Sequence, residues 1–218
     1  MSARHAATEP LTVLVIAKEP VPGRVKTRLT PPCTPLEAAA VAEAALADTL
    51  HTVLKVPARR RVLVLDGRPG PWLPPGFDVV PQTSGGLDER IAAAFARCGE
   101  GPALLVGMDT PQLTPEHLAG VGRDHHDAWF GPAADGGFWA LGFARPARAE
   151  TLVRGVPMST DRTGAVQRDR LVAAGLKVAD LPVLRDVDTA ADAAEVAACC
   201  PPGSRFALTL DRLTEVMP

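Results

Sequence analysis

A cationic loop near the start of the chain is the strongest candidate for chemistry. It reads KEPVPGRVKTRL and carries Lys18, Arg24, Lys26 and Arg28 against a single carboxylate, Glu19. The loop follows an apolar segment that we predict to be a strand, and ligands of open α/β sheets bind beyond the carboxyl ends of strands. Cations together with free backbone N–H groups suit a chain of phosphates. The pattern favours an anion-binding loop over the alternative, a solvated basic turn.

Residue spacing excludes two familiar phosphate-binding motifs for this loop. A P-loop places Gly directly before its Lys, whereas two residues separate Gly23 from Lys26 here. A dinucleotide-binding fingerprint requires GxGxxG, and the loop does not contain it. The loop must therefore bind its anion in another way.

A carboxylate follows the predicted strand 103–107, in the sequence GMDTPQL. Asp109 lies where this strand leaves the sheet, because Pro111 cannot donate a hydrogen bond to extend the pairing. Magnesium is often held by one or two carboxylates together with substrate phosphates. Asp109 is therefore a candidate metal ligand, and the alternative is that it caps the turn that follows.

A second pair of carboxylates occurs late in the chain, in the sequence LRDVDT. If this segment is extended, Asp186 and Asp188 point to the same side, since side-chain direction alternates along a strand. Two carboxylates could then face one ion. Equally, Asp188 could cap the helix that we predict to begin at Ala190.

The segment GPAADGGF contains two adjacent glycines after Asp135. Gly136 and Gly137 would allow the backbone to approach a ligand closely or to adopt a positive φ angle. A plain turn joining two strands is the alternative reading, because GFWALGF after it resembles a strand. As part of a substrate wall, Asp135 could hold a hydroxyl group or act as a general base.

Several of these motifs together resemble DUF2064, a family of bacterial glycosyltransferase-like proteins. The resemblance rests on AKEPVPGRVKTRL, GMDTPQL, PAADGGF and DVDT, which occur in the family's order. The segment QTSGGLDER departs from the family pattern QxGxDLGER at two positions. The resemblance covers the chain from Ala17 to about Asp192. It implies a GT-A-like α/β fold, as in nucleotide-diphospho-sugar transferases, and the family is also similar to guanylyltransferases.

The resemblance also implies a role for each group of candidate residues. The expected metal ligands of Mg²⁺ or Mn²⁺ are Asp109 and Asp188, with Asp186 as the substitute for Asp188. The expected catalytic residues are Lys26, Asp109 and Asp135. The expected nucleotide-binding residues are Ala17, Lys18, Gly23, Lys26, Thr27, Arg28, Gln82 and Arg90. The expected acceptor-binding residues are Asp135, Gly136, Gly137, Ser159 and Thr160.

Two reactions and one non-enzymatic role fit these residues. In a glycosyltransferase, a nucleoside diphosphate leaves the sugar carbon of a nucleotide sugar. In a nucleotidyltransferase, an acceptor phosphate attacks a nucleoside triphosphate and pyrophosphate leaves. We expect glycosyl transfer to a small acceptor, with nucleotidyl transfer as the first alternative. A nucleotide-binding regulatory protein without turnover is the second alternative.

The elements that must position these residues alternate between strands and helices. Short apolar runs predict strands at 11–17, 61–65, 103–106, 128–130 and 137–143. Helix signals occur at 35–53, 88–96, 163–174 and 190–198, and from Thr114 to about 120–122. Thr34, Pro35 and Glu37 form the clearest helix start, a capping box with Pro at the first position. Such alternation predicts one mostly parallel sheet with helices on both faces.

Composition limits the classes of protein that this chain can belong to. The 218 residues include 23 Lys and Arg against 25 Asp and Glu, so no global basic field favours binding of nucleic acid. No apolar run is long enough to span a bilayer, and the first ten residues lack a signal-peptide core. We expect a cytoplasmic protein without membrane contacts, with residues 1–10 as a flexible arm and 11–218 as one domain. Assembly is left open, a homodimer included, and the four cysteines are expected to be reduced and to pack in the interior.

Overall fold

The computed structural model describes residues 11–123 and 125–216. The predicted arm at 1–10 lies outside the described residues. Seven strands form one sheet in the order β3-β2-β1-β4-β6-β5-β7. β6 is antiparallel to both of its neighbours, and every other pair is parallel. The prediction of a mostly parallel α/β sheet is therefore confirmed.

The strands and helices follow the predicted alternation along the chain. The strands are β1 Thr12–Lys18, β2 Arg60–Asp66, β3 Asp78–Pro81, β4 Ala103–Val106, β5 Ala128–Pro132, β6 Phe138–Phe143 and β7 Val178–Asp180. The α-helices are α1 Pro35–Lys55, α2 Leu87–Ala96, α3 Ala149–Leu152, α4 Thr163–Ala173, α5 Ala190–Cys199 and α6 Arg205–Val216. Short 3₁₀ helices span Thr27–Leu29, Pro115–Leu118 and Pro146–Arg148.

Helices cover both faces of the sheet because alternate strand residues point to opposite sides. On one face, Val13 and Val15 of β1 are fully buried together with Leu46 and Leu50 of α1. On the other face, Leu14 is buried with side chains of α2, α3 and α4, including Phe95 and Leu171. The central strands β1, β2 and β4 are buried from both sides, so the residues in their middle are apolar, which is typical of parallel sheets.

An outer layer of helices packs against the far side of α1. Val41 and Ala45 of α1 share a buried cluster with Val196 of α5 and Phe206 of α6. α6 is also attached through Asp48 of α1, whose carboxylate accepts hydrogen bonds from Ser204 Oγ (2.7 Å), Arg205 N (3.1 Å) and Phe206 N (2.9 Å). The N-terminus of α6 is thus capped in part by its own Ser204, whose Oγ accepts from Ala207 N at 3.2 Å, and in part by Asp48 of a distant helix.

Most predicted elements are present, with corrections at the weaker signals. The helix predicted from Thr114 to 120–122 is wrong, because only the 3₁₀ helix Pro115–Leu118 forms before the glycines that follow it. β3, β7, α3 and α6 are further elements that the sequence patterns do not predict; β3 and β7 are short and only partly buried, and α3 has four residues. The capping box at Thr34 and Glu37 is confirmed.

The structure also bears on the predictions about the cysteines and about membrane-spanning segments. All four cysteines are free, but Cys199 is exposed and does not pack in the interior. Within the described part of the chain, no helix has the length and apolarity that a bilayer crossing demands.

Candidate functional site

A cavity of about 350 Å³ opens at the carboxyl ends of β1 and β4. The strand order changes direction between these two neighbours, which is where open α/β sheets bind ligands. The volume falls in the range of small-molecule sites. The lining residues are Ile16, Ala17, Lys18, Arg24, Val25, Lys26, Thr27, Arg28, Gln82, Leu87, Arg90, Gly107, Met108, Asp109, Phe138, Trp139, Asp186 and Asp188.

The cationic loop forms one wall of this cavity because apolar residues attach it to α1. Val25 is 7% exposed and packs against Ala39 and Ala42 of α1, and Leu29 is buried in the outer helical layer. Between these anchors Lys26 has a left-handed backbone, with φ of 49° and ψ of 37°. Non-glycine residues seldom adopt this conformation, and where they do it is often at functional sites. Here it accompanies a lysine side chain that faces the interior.

The Lys26 ammonium lies between the carboxylate that follows β4, Asp109, and one that precedes α5, Asp188. It contacts Asp109 Oδ1, donates a hydrogen bond to Val187 O, and lies 4.0 Å from Asp188 Oδ1. Its side chain is only 6% exposed, whereas that of Arg28, two residues later, is 75% exposed. The structure therefore brings together three residues that the sequence had placed in separate motifs.

Asp186 and Asp188 come close to Asp109 because residues 184–188 pass between the ends of β5 and β4. Leu184 pairs with Ala133 after β5, and Val187 N donates to Asp109 O after β4 at 3.0 Å. Asp186 lies between these two attachments. Its Oδ1 atom is shielded from solvent and has no hydrogen-bond partner in the residues that the structure describes.

Burial determines the acid strength of Asp186. Desolvation, together with the nearby charges of Asp109 and Asp135, raises the pKa of Asp186 to about 7. Lys26 acts in the opposite direction, and its effect is smaller. Near neutral pH this carboxyl is therefore partly protonated, because burial and the carboxylates around it disfavour a further negative charge.

Asp188 pairs with Arg28, whose Nη1 lies 3.2 Å from Asp188 Oδ2. The alternative that Asp188 caps α5 is wrong. Thr189 is the N-cap, since its hydroxyl accepts from Asp192 N at 3.2 Å. The other alternative, that the Asp109 carboxylate caps a turn, also fails within the described residues, because its side-chain contact is to Lys26.

Gln82 and Arg90 line the cavity as a hydrogen-bonded pair. Gln82 Nε2 donates to Ala17 O at 2.7 Å and to Val64 O at 3.1 Å, and its Oε1 accepts from Arg90 Nη1 at 3.1 Å. The amide of Gln82 thus joins the ends of β1 and β2 and orients the guanidinium of Arg90. Arg90 retains further N–H groups for a ligand.

The predicted acceptor-binding residues lie together outside the cavity lining. Residues 133–137 connect the antiparallel strands β5 and β6, so the plain strand connection is present, and Asp135 Oδ1 accepts from Gly137 N at 2.8 Å. Gly136 has a φ of 89°, and a Cβ atom on it would overlap the Asp161 carbonyl. Gly164 N donates to Gly136 O at 2.8 Å. The glycines therefore permit close contact between this connection and the start of α4.

Ser159 and Thr160 lie in the turn before α4. Ser159 has a φ of 59°. Thr160 Oγ1 accepts from Arg162 N at 3.3 Å, and Thr163 Oγ1 accepts from Thr160 N at 3.1 Å. These hydroxyls shape the turn before α4, whose N-cap residue Arg162 makes no side-chain cap hydrogen bond.

Some cavity residues were missed by sequence reasoning. Phe138 and Trp139 reach the cavity because β6 is antiparallel, so that its first residues lie at the edge where β1 and β4 end. The sequence indicated a strand here but not its direction. Met108 also lines the cavity, and its sulfur accepts a hydrogen bond from Lys18 N at 3.2 Å. In the sequence, only the position of Met108 directly before Asp109 indicated that Met108 could lie in the cavity.

The residues present fit a divalent ion in part. Across 11–123 and 125–216, no three Asp, Glu, His or Cys side chains are grouped closely enough to hold a metal without further ligands. Magnesium, however, commonly takes one or two carboxylates and completes its sphere with water and phosphate oxygens. Asp109 and Asp188 flank a single cation already, and Asp186 Oδ1 is a buried oxygen without a hydrogen-bond partner among the described residues. This donor set suits a hard cation that is shared with a phosphorylated substrate.

Several solved structures have similar folds. A proposed nucleotide-diphospho-sugar transferase from Desulfovibrio desulfuricans G20 is 25% identical, with a TM-score of 0.81 and 94% of each chain covered. CMP:2-keto-3-deoxy-manno-octonic acid synthetase, solved with CTP, is 12% identical, with a TM-score of 0.55, and the match covers 93% of this chain and 99% of that one. Rv0371c of Mycobacterium tuberculosis H37Rv, solved with manganese, is 19% identical, with a TM-score of 0.50 and coverage of 86% and 97%.

Sequence comparison identifies the family. No curated protein matches the sequence. The profile of DUF2064, described as an uncharacterised protein conserved in bacteria, matches residues 40–160, which is over half of the chain. Together with the fold and the order of the motifs, this match shows that the chain belongs to the DUF2064 family.

Proposed function

We propose that this protein is a metal-dependent transferase that takes a nucleotide-diphospho-sugar as donor and transfers the sugar to a small-molecule acceptor. The observation that carries the proposal is the contact of Lys26 with Asp109 and Asp188 in the cavity between β1 and β4. A cationic loop facing carboxylates suits a diphosphate bound through a divalent ion. The 25% identical Desulfovibrio relative, which carries the same proposed activity, supports this donor class.

The cations of the loop would hold the diphosphate. Lys18, Lys26, Thr27 and Arg28 all line the cavity. Each hydrogen bond from a charged group to phosphate contributes about 1.5–3 kcal/mol. Gly23, with a φ of 76°, turns the loop before these residues. The remaining N–H groups of Arg90, held by Gln82, would contact the nucleotide on the side of β2.

Mg²⁺ or Mn²⁺ would be held by Asp109 and Asp188, and when bound it supplies Lewis-acid stabilisation of the diphosphate oxygens. The protein's own cations act on the same charge. As the bond between the sugar carbon and the diphosphate oxygen breaks, its electron pair remains on the departing nucleoside diphosphate. Lys18, Lys26 and Arg28 stabilise that negative charge, and loss of one such preorganised donor typically lowers kcat by about 10²–10³-fold.

The acceptor would enter beside the connection between β5 and β6. Its hydroxyl oxygen attacks the sugar carbon, and the hydroxyl proton passes to a base. Asp135 is our candidate, since it is exposed and has one carboxylate oxygen beyond the one that accepts from Gly137 N. Gly136, Gly137, Ser159 and Thr160 would shape the acceptor wall around it. We expect the reaction to take place in the cytoplasm.

Nucleotidyl transfer is the second candidate, because a synthetase solved with CTP shares the fold and the cationic loop also suits a triphosphate. In that reaction an acceptor phosphate attacks the α-phosphorus of a nucleoside triphosphate, and pyrophosphate leaves. The same cations and carboxylates would then face pyrophosphate as the leaving group.

A thermal-shift screen with Mg²⁺ or Mn²⁺ separates the two candidates. We expect metal-dependent stabilisation by at least one nucleotide sugar and none by nucleoside triphosphates. Stabilisation by triphosphates alone would support nucleotidyl transfer, and no response to either class would reject the nucleotide site. Release of nucleoside diphosphate in the presence of acceptor mixtures then distinguishes turnover from binding without turnover.

A further inference from the structure

We propose that Lys26 is an internal counter-ion that occupies the place of the divalent ion until a diphosphate draws its ammonium away. This inference rests on the proposed function. It adds that metal and diphosphate bind cooperatively, because both depend on the position of one side chain.

The first support is the placement of the ammonium. Lys26 Nζ contacts Asp109 Oδ1, donates to Val187 O and lies 4.0 Å from Asp188 Oδ1. These are the two carboxylates expected to bind the metal, with a backbone carbonyl between them. An ammonium and a divalent ion repel each other and compete for the same oxygens. Lys26 must therefore move before the carboxylates can bind a metal well.

The second support is the contrast within the loop. The side chain of Lys26 is 6% exposed, while Lys18 and Arg24 are exposed and make no ion pair within the described residues. A cation whose only partners are phosphates would remain hydrated in the open cavity, as Lys18 and Arg24 do. Lys26 is instead turned inward on a left-handed backbone that non-glycine residues seldom adopt.

The third support is that the displaced ammonium has another place to go. Lys26, Thr27 and Lys18 line the same cavity. The lysine side chain is a flexible point charge with four rotatable methylene groups. A diphosphate in the cavity would offer it new anionic oxygens, and the carboxylates would then be free for the metal. Each ligand thus raises the affinity for the other.

Binding measurements on Lys26→Met test the proposal without relying on turnover. Mn²⁺ binding is measured without pyrophosphate, from the electron paramagnetic resonance signal of the free ion. Binding of inorganic pyrophosphate is measured by calorimetry, with a chelator present to remove divalent ions. We expect Lys26→Met to bind Mn²⁺ about tenfold more tightly than the wild type and to bind pyrophosphate about tenfold more weakly. Opposite changes in two affinities cannot arise from partial unfolding.

Lys18→Met is the matched control. It removes a cation of the same loop that does not contact the carboxylates. We expect weaker pyrophosphate binding and Mn²⁺ affinity within about twofold of the wild type. Lys26→Gln, with folding checked by circular dichroism, repeats the test should Lys26→Met fail to fold.

The outcomes separate the two proposals. Unchanged or weaker Mn²⁺ binding by folded Lys26 variants, with pyrophosphate binding reduced, would overturn the counter-ion role and leave the proposed function standing. Absence of Mn²⁺ and pyrophosphate binding in the wild type and in every variant would overturn both. Equal tightening of Mn²⁺ binding in Lys18→Met would also reject the specific role of Lys26, because it would indicate a general effect of net charge.

Discussion

The ammonium of Lys26 lies against the carboxylate of Asp109, although 83 positions separate them in the sequence. The contact joins the loop after β1 to the end of β4, the two strands between which the sheet order changes direction. The groups that we expect to bind phosphate and metal thus meet at one point.

Asp109→Asn should abolish the metal dependence of nucleotide binding. The amide keeps the shape of the side chain but removes the negative charge that a divalent ion requires. We expect the thermal shift caused by nucleotide sugar with Mn²⁺ to fall to its value in chelator. Asp78→Asn is the control, because Asp78 is an exposed carboxylate paired with Arg60 at 2.8 Å, away from the cavity lining. A full metal-dependent shift in Asp109→Asn would show that the ligand assignment is wrong.

Gly136→Ala should destabilise the connection that forms the proposed acceptor wall. Its φ is 89°, and the added Cβ would overlap the Asp161 carbonyl. We expect a loss of about 2–4 kcal/mol in the free energy of unfolding, measured by urea denaturation. Gly175→Ala separates the two causes, since its φ is 72° but no atom lies within 4 Å of the added Cβ. That variant should lose only about 1–2 kcal/mol. Equal losses in both would mean that the contact with Asp161 contributes nothing.

Asp48→Ala should loosen α6. It removes an acceptor of three hydrogen bonds, from Ser204 Oγ, Arg205 N and Phe206 N. Loss of a helix cap typically costs about 1–2 kcal/mol, which corresponds to a fall of several degrees in Tm. Glu43→Ala, at an exposed position on the same helix, should stay within about 0.5 kcal/mol of the wild type. A Tm for Asp48→Ala equal to that of Glu43→Ala would contradict the capping role.

Thiol reactivity should follow burial along the chain. Desolvation raises the pKa of both Cys98 and Cys200 to about 11, and it also raises the pKa of the buried Cys33. A raised pKa keeps these thiols protonated at about pH 8, and the thiolate is the nucleophile. We therefore expect the exposed Cys199 to react first with a disulfide reagent. The rate at Cys98 and Cys200 should increase with pH up to about 11. Cys199→Ser should lack the fast phase, and a fast phase that remained would refute this order.

Local sequence patterns were sufficient for most of the strands and helices, and they predict the character of the site. The loop 18–29 could be read as an anion site because its charges, prolines and glycine are neighbours in sequence. α1 could be predicted because its capping box and Pro35 are local signals. α6 could not, because part of its N-terminal cap comes from Asp48, 156 positions before Ser204.

The position of each side chain within the site depends on contacts between distant segments. Nothing in KTR distinguishes the inward Lys26 from the outward Arg28, because their difference comes from the left-handed backbone and the packing of Val25 and Leu29 on α1. The late carboxylates are a similar case. Asp186 is enclosed because Leu184 and Val187 attach to the ends of β5 and β4, and Asp188 beyond them remains near Arg28. Residue types and spacing therefore determine which chemistry we can expect of this chain. Burial and charge pairing decide which atoms are placed to perform it, and these arise only when remote strands meet.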